Sequence, residues 1–239
     1  IKMPVFLSHT MYEIGTGWLI FTLYMVLFLL AFDLLKLCRI PFNYSFVVSL
    51  LFTVILLGYG YYNYRHPKTN IVNIALTGDR QPIKIVAVSD LHLGYGTGKT
   101  ALKRYVKMIN EQNPDLILIG GDLIDNSVVP LYAENMMEEL SELKAPLGIY
   151  MVPGNHEYIS GMNASARFIQ GTPIQLLRDS IVTLPSGIQL IGRDDRSNTT
   201  RRSLQELMAN VDKNKPIILL DHQPYKLTES ETAGVDLQF

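Results

Sequence analysis

Ser89-Asp90-Leu91-His92, Gly120-Gly121-Asp122-Leu123-Ile124-Asp125 and Pro153-Gly154-Asn155-His156-Glu157 follow one another along the chain, each directly after a run of β-branched and aliphatic residues. Runs of that kind read as strands, and the Gly, Pro and Asn around the polar residues read as turns at the strand ends. The polar residues are carboxylates, imidazoles and one amide. Presented together on turns, they form the donor set that a pair of divalent cations needs.

Taken singly, each string is weak, because Asp-x-His and Gly-Asp are common in turns made of good turn residues. Three in succession, about thirty residues apart, match the spacing of βαβ units and point to one site assembled at the strand ends. An extended backbone through Asp90 and His92 would turn both side chains to the same side, within reach of one ion. Gly120 and Gly121 allow the turn that aims Asp122 over the sheet edge. A carboxylate there has two oxygens and can bridge two cations. Of the five histidines, His92, His156 and His222 end strand-like runs, whereas His9 and His66 do not. His222 follows Ile217-Ile218-Leu219-Leu220-Asp221, and Gln223-Pro224 breaks that run.

Working outward, strands are expected at Ile83 to Ser89, Leu116 to Gly120, Gly148 to Val152, Ile188 to Gly192 and Ile217 to Leu220. Several are nearly continuous aliphatic runs, as in sheets covered on both faces. Helices are expected at Thr100 to Gln112, Leu131 to Leu143 and Leu204 to Val211; the first carries Leu102, Tyr105, Val106 and Ile109 on one stripe. The alternation predicts an α/β layered domain.

The N-terminal part differs. From Ile14 to Phe32 every residue is apolar, Gly or Thr apart from Tyr24, and at 1.5 Å per residue the run reaches about 28 Å, enough to cross a bilayer. A second uncharged run, Ser45 to Tyr62, ends in tyrosines of the kind found at headgroup level, and Trp18 marks the start of the first. The expected organisation is a membrane region over 1–66, with two spans at about 14–32 and 45–62, followed by a domain over 67–239. Multi-pass membrane attachment follows. The basic residues Lys2, Lys36, Arg39, Arg65 and Lys68, with Asp33 opposing, leave the side of the bilayer open.

A net charge of −1 and a pI near 6.6 supply no basic stripe, so nucleic acid is not favoured as a partner. The single cysteine, Cys38, excludes an internal disulfide and reads as a packing residue in its apolar surroundings. Composition leaves the oligomeric state open. Gly94-Tyr95-Gly96-Thr97-Gly98-Lys99-Thr100 imitates a nucleotide loop, but Leu93 and Lys99 stand where the two glycine patterns need Gly; a flexible loop and helix start beside the metals fits better. Gly192-Arg193-Asp194-Asp195-Arg196 reads as a charged surface turn before it reads as a substrate contact.

At these residues the chain resembles the calcineurin-like metallophosphoesterase superfamily, whose signature runs Asp-x-His, Gly-Asp-x-x-Asp, Gly-Asn-His-Glu, a lone His, then Gly-His-x-His. The first four are present. The resemblance implies the superfamily's layered sandwich, here preceded by a transmembrane helical hairpin, and two divalent cations, with Mn, Fe or Zn all suited to the ligands. It implies that Asp90 and His92 hold the first metal, Asp122 bridges, and Asn155 and His222 hold the second. His156 would act on the phosphoryl group and leaving oxygen, with Asp125 orienting it. The fifth element is missing before Phe239, so each metal would lack one imidazole and this stretch of chain would be inactive on its own. Within the superfamily the sequence is most similar to bacterial membrane-attached phosphodiesterases and to UDP-2,3-diacylglucosamine hydrolases. The expected activity is hydrolysis of a phosphodiester or pyrophosphate on a small-molecule or lipid-linked substrate at the bilayer. Two alternatives stay open: a phosphomonoesterase or protein phosphatase on the same scaffold, and a non-catalytic membrane protein with a relic metal site.

Overall fold

A computed structural model describes residues 4–40, 42–75, 82–223 and 225–239. Lys2 and Pro224, which entered the topology and strand-end expectations, lie outside the described residues. The chain divides into two compact units, Ile1–Ala75 and Leu76–Phe239.

The first unit contains α1 (Val5–Leu37) and α2 (Ser45–Arg65). Both are long and apolar enough to cross a membrane. They pack as an antiparallel pair: Phe28 meets Phe52 with ring centroids 5.6 Å apart, the Thr53 hydroxyl lies 4.0 Å from the Met25 sulfur, and Phe32 stacks on Phe42 at 4.9 Å. The hydroxyls of Thr16 and Thr53 donate back to the carbonyls of Tyr12 and Ser49 at 2.6 and 2.8 Å, which satisfies them within their own helices. Helix α1 begins well before Ile14, so Trp18 lies inside it rather than at its start. Cys38 is exposed beyond the end of α1 and is not the packing residue its neighbours suggested.

The second unit is a four-layer α/β sandwich. Its first sheet is parallel in the order β1 (Ile85–Val88), β2 (Leu116–Ile119), β3 (Ile149–Met151) and β4 (Ile174–Leu176). Between these strands run α3 (Lys99–Glu111), α4 (Val129–Ala133), α5 (Met136–Ser141), α6 (Asn155–Ile159) and α7 (Met162–Gln170). The second sheet runs β5 (Ser180–Thr183), β6 (Gln189–Gly192), β7 (Ile217–Leu220) and β8 (Leu237–Gln238), with only the β5–β6 pair antiparallel. It carries α8 (Leu204–Met208) and α9 (Leu227–Ala233).

Period-two alternation divides the aliphatic runs between layers. Ile117 and Ile119 of β2 join Leu102, Val106, Met136 and Phe168 under the helices, while Leu116 and Leu118 face the second sheet among Leu190, Ile218 and Leu220. Ile191, Ile217 and Leu219 turn outward onto Leu204 and Leu207 of α8. Burial on both faces is why these strands read as unbroken apolar runs.

Several boundaries differ from the sequence expectation. The helix expected over Leu131 to Leu143 is broken into α4 and α5 by Asn135 in the left-handed region, φ 51°; Asn is among the residues that tolerate that conformation, and it ends one helix and starts the next. The Leu204 helix ends at Met208. The short elements α6, α7, β4, β5 and α9 were not anticipated, because a few residues give too little periodicity to register.

Candidate metal centre

β1, β2, β3 and β7 all end at one edge, and the chain after each supplies the site. Past their strands, the first two loops stay hydrogen-bonded to each other: the Asp90, His92 and Leu93 amides donate to the carbonyls of Gly121, Asp122 and Leu123 at 3.1, 2.9 and 2.8 Å. This pairing holds Asp90, His92 and Asp122 in the left-handed region, φ 56°, 46° and 51°. The extended geometry expected for Asp90 and His92 is therefore not what aims them. Three left-handed non-glycine residues at one site are a local strain that the surrounding ladder over-determines.

Asp122 is the buried centre, 3% exposed. Its Oδ2 lies 3.6 Å from His92 Nε2 and 3.3 Å from His222 Nε2, and its Oδ1 accepts the His156 amide at 2.9 Å. Asp90, on the open side, places Oδ1 3.7 Å from His92 Nε2, and its Oδ2 accepts from the Ser89 hydroxyl. Asn155 Oδ1 lies 3.2 Å from His222 Nε2. Two ligand groups result, His92–Asp122–His156 and Asp90–Asp122–His222, each with its donor atoms within 4.8 Å of one another. The structure thus brings together all seven residues singled out in the sequence. It places Asp90 beside His92 and Asn155 beside His222, the pairings of the sequence reading, and also brings His156 to His92 and Asp90 to His222; Asp122 is common to both groups.

This donor set fits cations. Ligands about 2.1 Å from a metal lie about 3.0–3.5 Å apart at ordinary coordination angles, close to the spacings around Asp122. The imidazoles are also fixed from behind. His222 Nδ1 meets the Gly120 carbonyl at 2.8 Å, which leaves Nε2 to face the site. Asp125 Oδ1 lies 3.2 Å from His156 Nδ1 and 3.6 Å from His92 Nδ1, while Asp125 Oδ2 accepts from Asn126 at 2.7 Å. One carboxylate stands behind two imidazoles, not one. The two rings meet edge to face at 4.4 Å.

Burial alone would raise the Asp122 carboxyl and lower the His222 imidazole, but their mutual contact outweighs it: Asp122 is held below the usual carboxylate range and His222 is pushed up to about 9. Glu157 shows the opposite balance. Fully buried, it is pushed up to about 7 by desolvation, although it accepts three amides. Those amides are Gly154 at 2.7 Å and Asp122 and Ile124 at 3.0 Å. Glu157 thereby ties the loop after β2 to the first turn of α6, a role the sequence reading did not assign. Its signal was an acidic residue three positions into a helix that had not been expected. Gln223 was also missed; its Nε2 donates to Asn155 Oδ1 at 3.1 Å.

Of two further loops, the first is a loop and helix start beside the centre, as expected, with Gly94 against Asp125 and α3 beginning at Lys99, and the second departs from expectation. Gly94 to Thr97 is a hydrogen-bonded turn, Gly94 N–H to Thr97 O at 3.1 Å. Lys99 is engaged by Glu138 and Glu139 at 3.3 and 3.4 Å. After β6, Arg193, Asp194 and Asp195 are buried, so this segment is no surface turn; Asp194 accepts from Tyr158 at 2.7 Å and pairs with Arg178 at 2.8 Å. β8 runs parallel to β7, and the Phe239 carbonyl accepts the Asp221 amide at 3.0 Å, next to His222.

Residues 83–237 match the family model for calcineurin-like phosphoesterases. An uncharacterized metallophosphoesterase of Helicobacter pylori is 32% identical over 195 residues, covering 78% of this chain and 52% of that protein. A zebrafish (Danio rerio) transmembrane protein with metallophosphoesterase domain is 30% identical over 197 residues, 75% of this chain and 44% of that protein. This chain therefore spans about half the length of the curated relatives it matches. Among solved structures, a 5'-nucleotidase precursor of Thermus thermophilus superposes with a TM-score of 0.43 at 16% identity, over 65% of this chain and 40% of that one.

Proposed function

The chain belongs to the calcineurin-like phosphoesterase family, and on that premise we propose that it is a dinuclear-metal-dependent phosphodiesterase or pyrophosphatase, anchored at a bilayer through α1 and α2. The observation that carries this reading is the buried Asp122 carboxylate, whose Oδ2 stands between the His92 and His222 imidazoles, 3.6 and 3.3 Å from their Nε2 atoms. Asp90, His92, Asp122, Asn155 and His222 would hold the ions, with Asp122 bridging. Bound there, two divalent cations supply Lewis acidity toward phosphoryl oxygens and activation of the attacking water.

The remaining steps belong to side chains. His156 stands at the rim with Nδ1 against Asp125, an arrangement that sets the orientation of its ring. It gives a proton to the departing oxygen or stabilises the charge that develops there, a contribution of about 10²–10⁴-fold in general acid catalysis. Asp125 positions that ring. Asn155, an amide, contributes an oxygen without adding charge, which spares the site a further repulsion beside Asp90 and Asp122. An amphiphilic or lipid-linked phosphate is supported by the two apolar helices and by the likeness to a relative named as a transmembrane protein.

The test is an activity screen of the full-length protein in detergent. With Mn²⁺ added, it should cleave aryl phosphodiesters and lipid-linked diphosphates faster than aryl monoesters, and chelation should abolish turnover. Faster cleavage of monoesters would replace this reading with a phosphomonoesterase. Fewer than two bound metal equivalents with no hydrolysis of either class would leave a relic site.

A further inference from the structure

Two residues of the centre, Asn155 and His156, stand on α6, a helix of only five residues. A helix that short does not hold its own orientation, because nucleating a turn costs more than so few hydrogen bonds return. Its side chains have to anchor it. Glu157 does so on one side, against the loop after β2. On the other side the anchor is Tyr158, whose hydroxyl donates to Asp194 Oδ1 at 2.7 Å and accepts from Arg178 Nη2 at 2.9 Å. Among the described residues, the only other side-chain hydrogen bonds from α6 to the loops of the second sheet are those of Asn155 itself with His222 and Gln223.

Asp194 is a fixed point. It is buried, and its Oδ2 accepts from Arg178 Nε and Asn198 Nδ2, both at 3.0 Å. Its carbonyl accepts from Arg201 Nη1 at 3.0 Å, and the same nitrogen donates to Asp221 Oδ1 at 3.3 Å. Asp221 immediately precedes His222. The contacts therefore close a circuit: from Asn155 along α6 to Tyr158, across to Asp194, through Arg201 to Asp221, and by one peptide unit to His222, whose Nε2 lies 3.2 Å from Asn155 Oδ1. Asp90 and His92 stand outside it. Tyr158 is half-buried, so water would serve its hydroxyl nearly as well and the contact adds little to stability. What it adds is a fixed direction for α6.

We propose that Tyr158 is a positioning residue: through Asp194 it keeps Asn155 at the distance from His222 at which both can bind one ion. This deepens the dinuclear reading and rests on it. The circuit spares Asp90 and His92, so the effect falls on one ion and not on the other. Partners behind metal ligands are worth about 10–100-fold in metal affinity, and Tyr158, which acts through the helix that carries the ligand, belongs at the lower end of that range.

The experiment measures metal uptake, not turnover. Full-length protein in detergent is stripped of metal by chelation and dialysis, and Mn²⁺ is titrated by calorimetry. The unaltered protein should take up two equivalents with separate dissociation constants. In Tyr158→Phe, which removes the hydroxyl and keeps the aromatic ring, one constant should rise about tenfold and the other by less than about twofold; the constant that rises should be the one that Asn155→Ala also raises. Arg201→Lys, which opens the circuit at its far side and keeps the charge, should raise that same constant. The double variant Tyr158→Phe with Arg201→Lys should bind no worse than the poorer single variant, because a circuit opened once is already open. A merely structural contact has a different signature: a lower thermal midpoint of the metal-free protein with both constants unmoved, or both raised alike. Either result would overturn the proposal. Fewer than two equivalents in the unaltered protein would overturn the dinuclear reading and this inference with it, whereas two equivalents with unchanged constants in Tyr158→Phe would overturn this inference alone.

Discussion

Asp122 combines functions that no other of the described residues combines: it faces two imidazoles with one oxygen, caps the His156 amide with the other, and remains almost fully buried. Asp122→Asn keeps an acceptor for that amide but removes the charge both ligand groups share. The variant should fold normally by circular dichroism and lose at least about a thousandfold in kcat; near-normal turnover would refute the bridging role. Gly154 makes a second residue-scale argument. A Cβ there would lie 2.1 Å from Asp122 Oδ1 and 2.7 Å from its amide, and neither atom has room to retreat, since both are already hydrogen-bonded. Gly154→Ala should therefore destabilise by about 1–3 kcal/mol in denaturant titration and reduce metal uptake with it.

Elements reach the site through short connections, and one buried side chain does much of the tying. Glu157, from the first turn of α6, accepts amides on both sides of the β2 loop. Glutamine offers one acceptor oxygen and turns an NH₂ toward donors, so Glu157→Gln should lower thermal stability by about 3 kcal/mol and weaken metal binding at calorimetric titration. At the break between α4 and α5, Asn135 adopts a conformation that a Cβ-bearing residue without a short polar side chain resists. Asn135→Ala should destabilise by about 1 kcal/mol and Asn135→Gly should not; equal losses in both would mean that the asparagine side chain, not its backbone, matters there.

Across the whole Leu76–Phe239 unit, stability depends on a buried polar network as well as on the two-sheet core. Burial raises the Asp194 carboxyl, but hydrogen bonds from Tyr158, Arg178 and Asn198 outweigh it and hold the group below the usual carboxylate range. Burial and the same Asp194 contact push the Tyr158 phenol up to about 12. Because the folded value of Asp194 is the lower one, its contribution is fully present above the unfolded value and disappears as pH falls through the folded one. Asp194→Asn should be about 2–3 kcal/mol less stable at pH 7, and its stability should converge on that of the unaltered protein at an acid pH below the folded value of Asp194. Parallel denaturant curves at the two pH values would exclude the linkage.

The three polar strings, the lone His222 and the two apolar runs were legible because each stands where a local pattern changes: an aliphatic run ending in turn residues, or a span without charge. From them followed the alternation of strands and helices, the covered sheets and the identity of the residues that meet. Tertiary structure decided what local pattern does not encode. Asp90 and His92 are aimed by left-handed backbone that only the neighbouring loop enforces, and Asp125 serves two imidazoles because the loops after β1 and β3 converge on it. Glu157 and Arg193 look in sequence like ordinary surface charges. Their burial, and hence their chemistry, arises from segments more than twenty residues away in the chain that fold over them, and long-range desolvation leaves no periodicity to read.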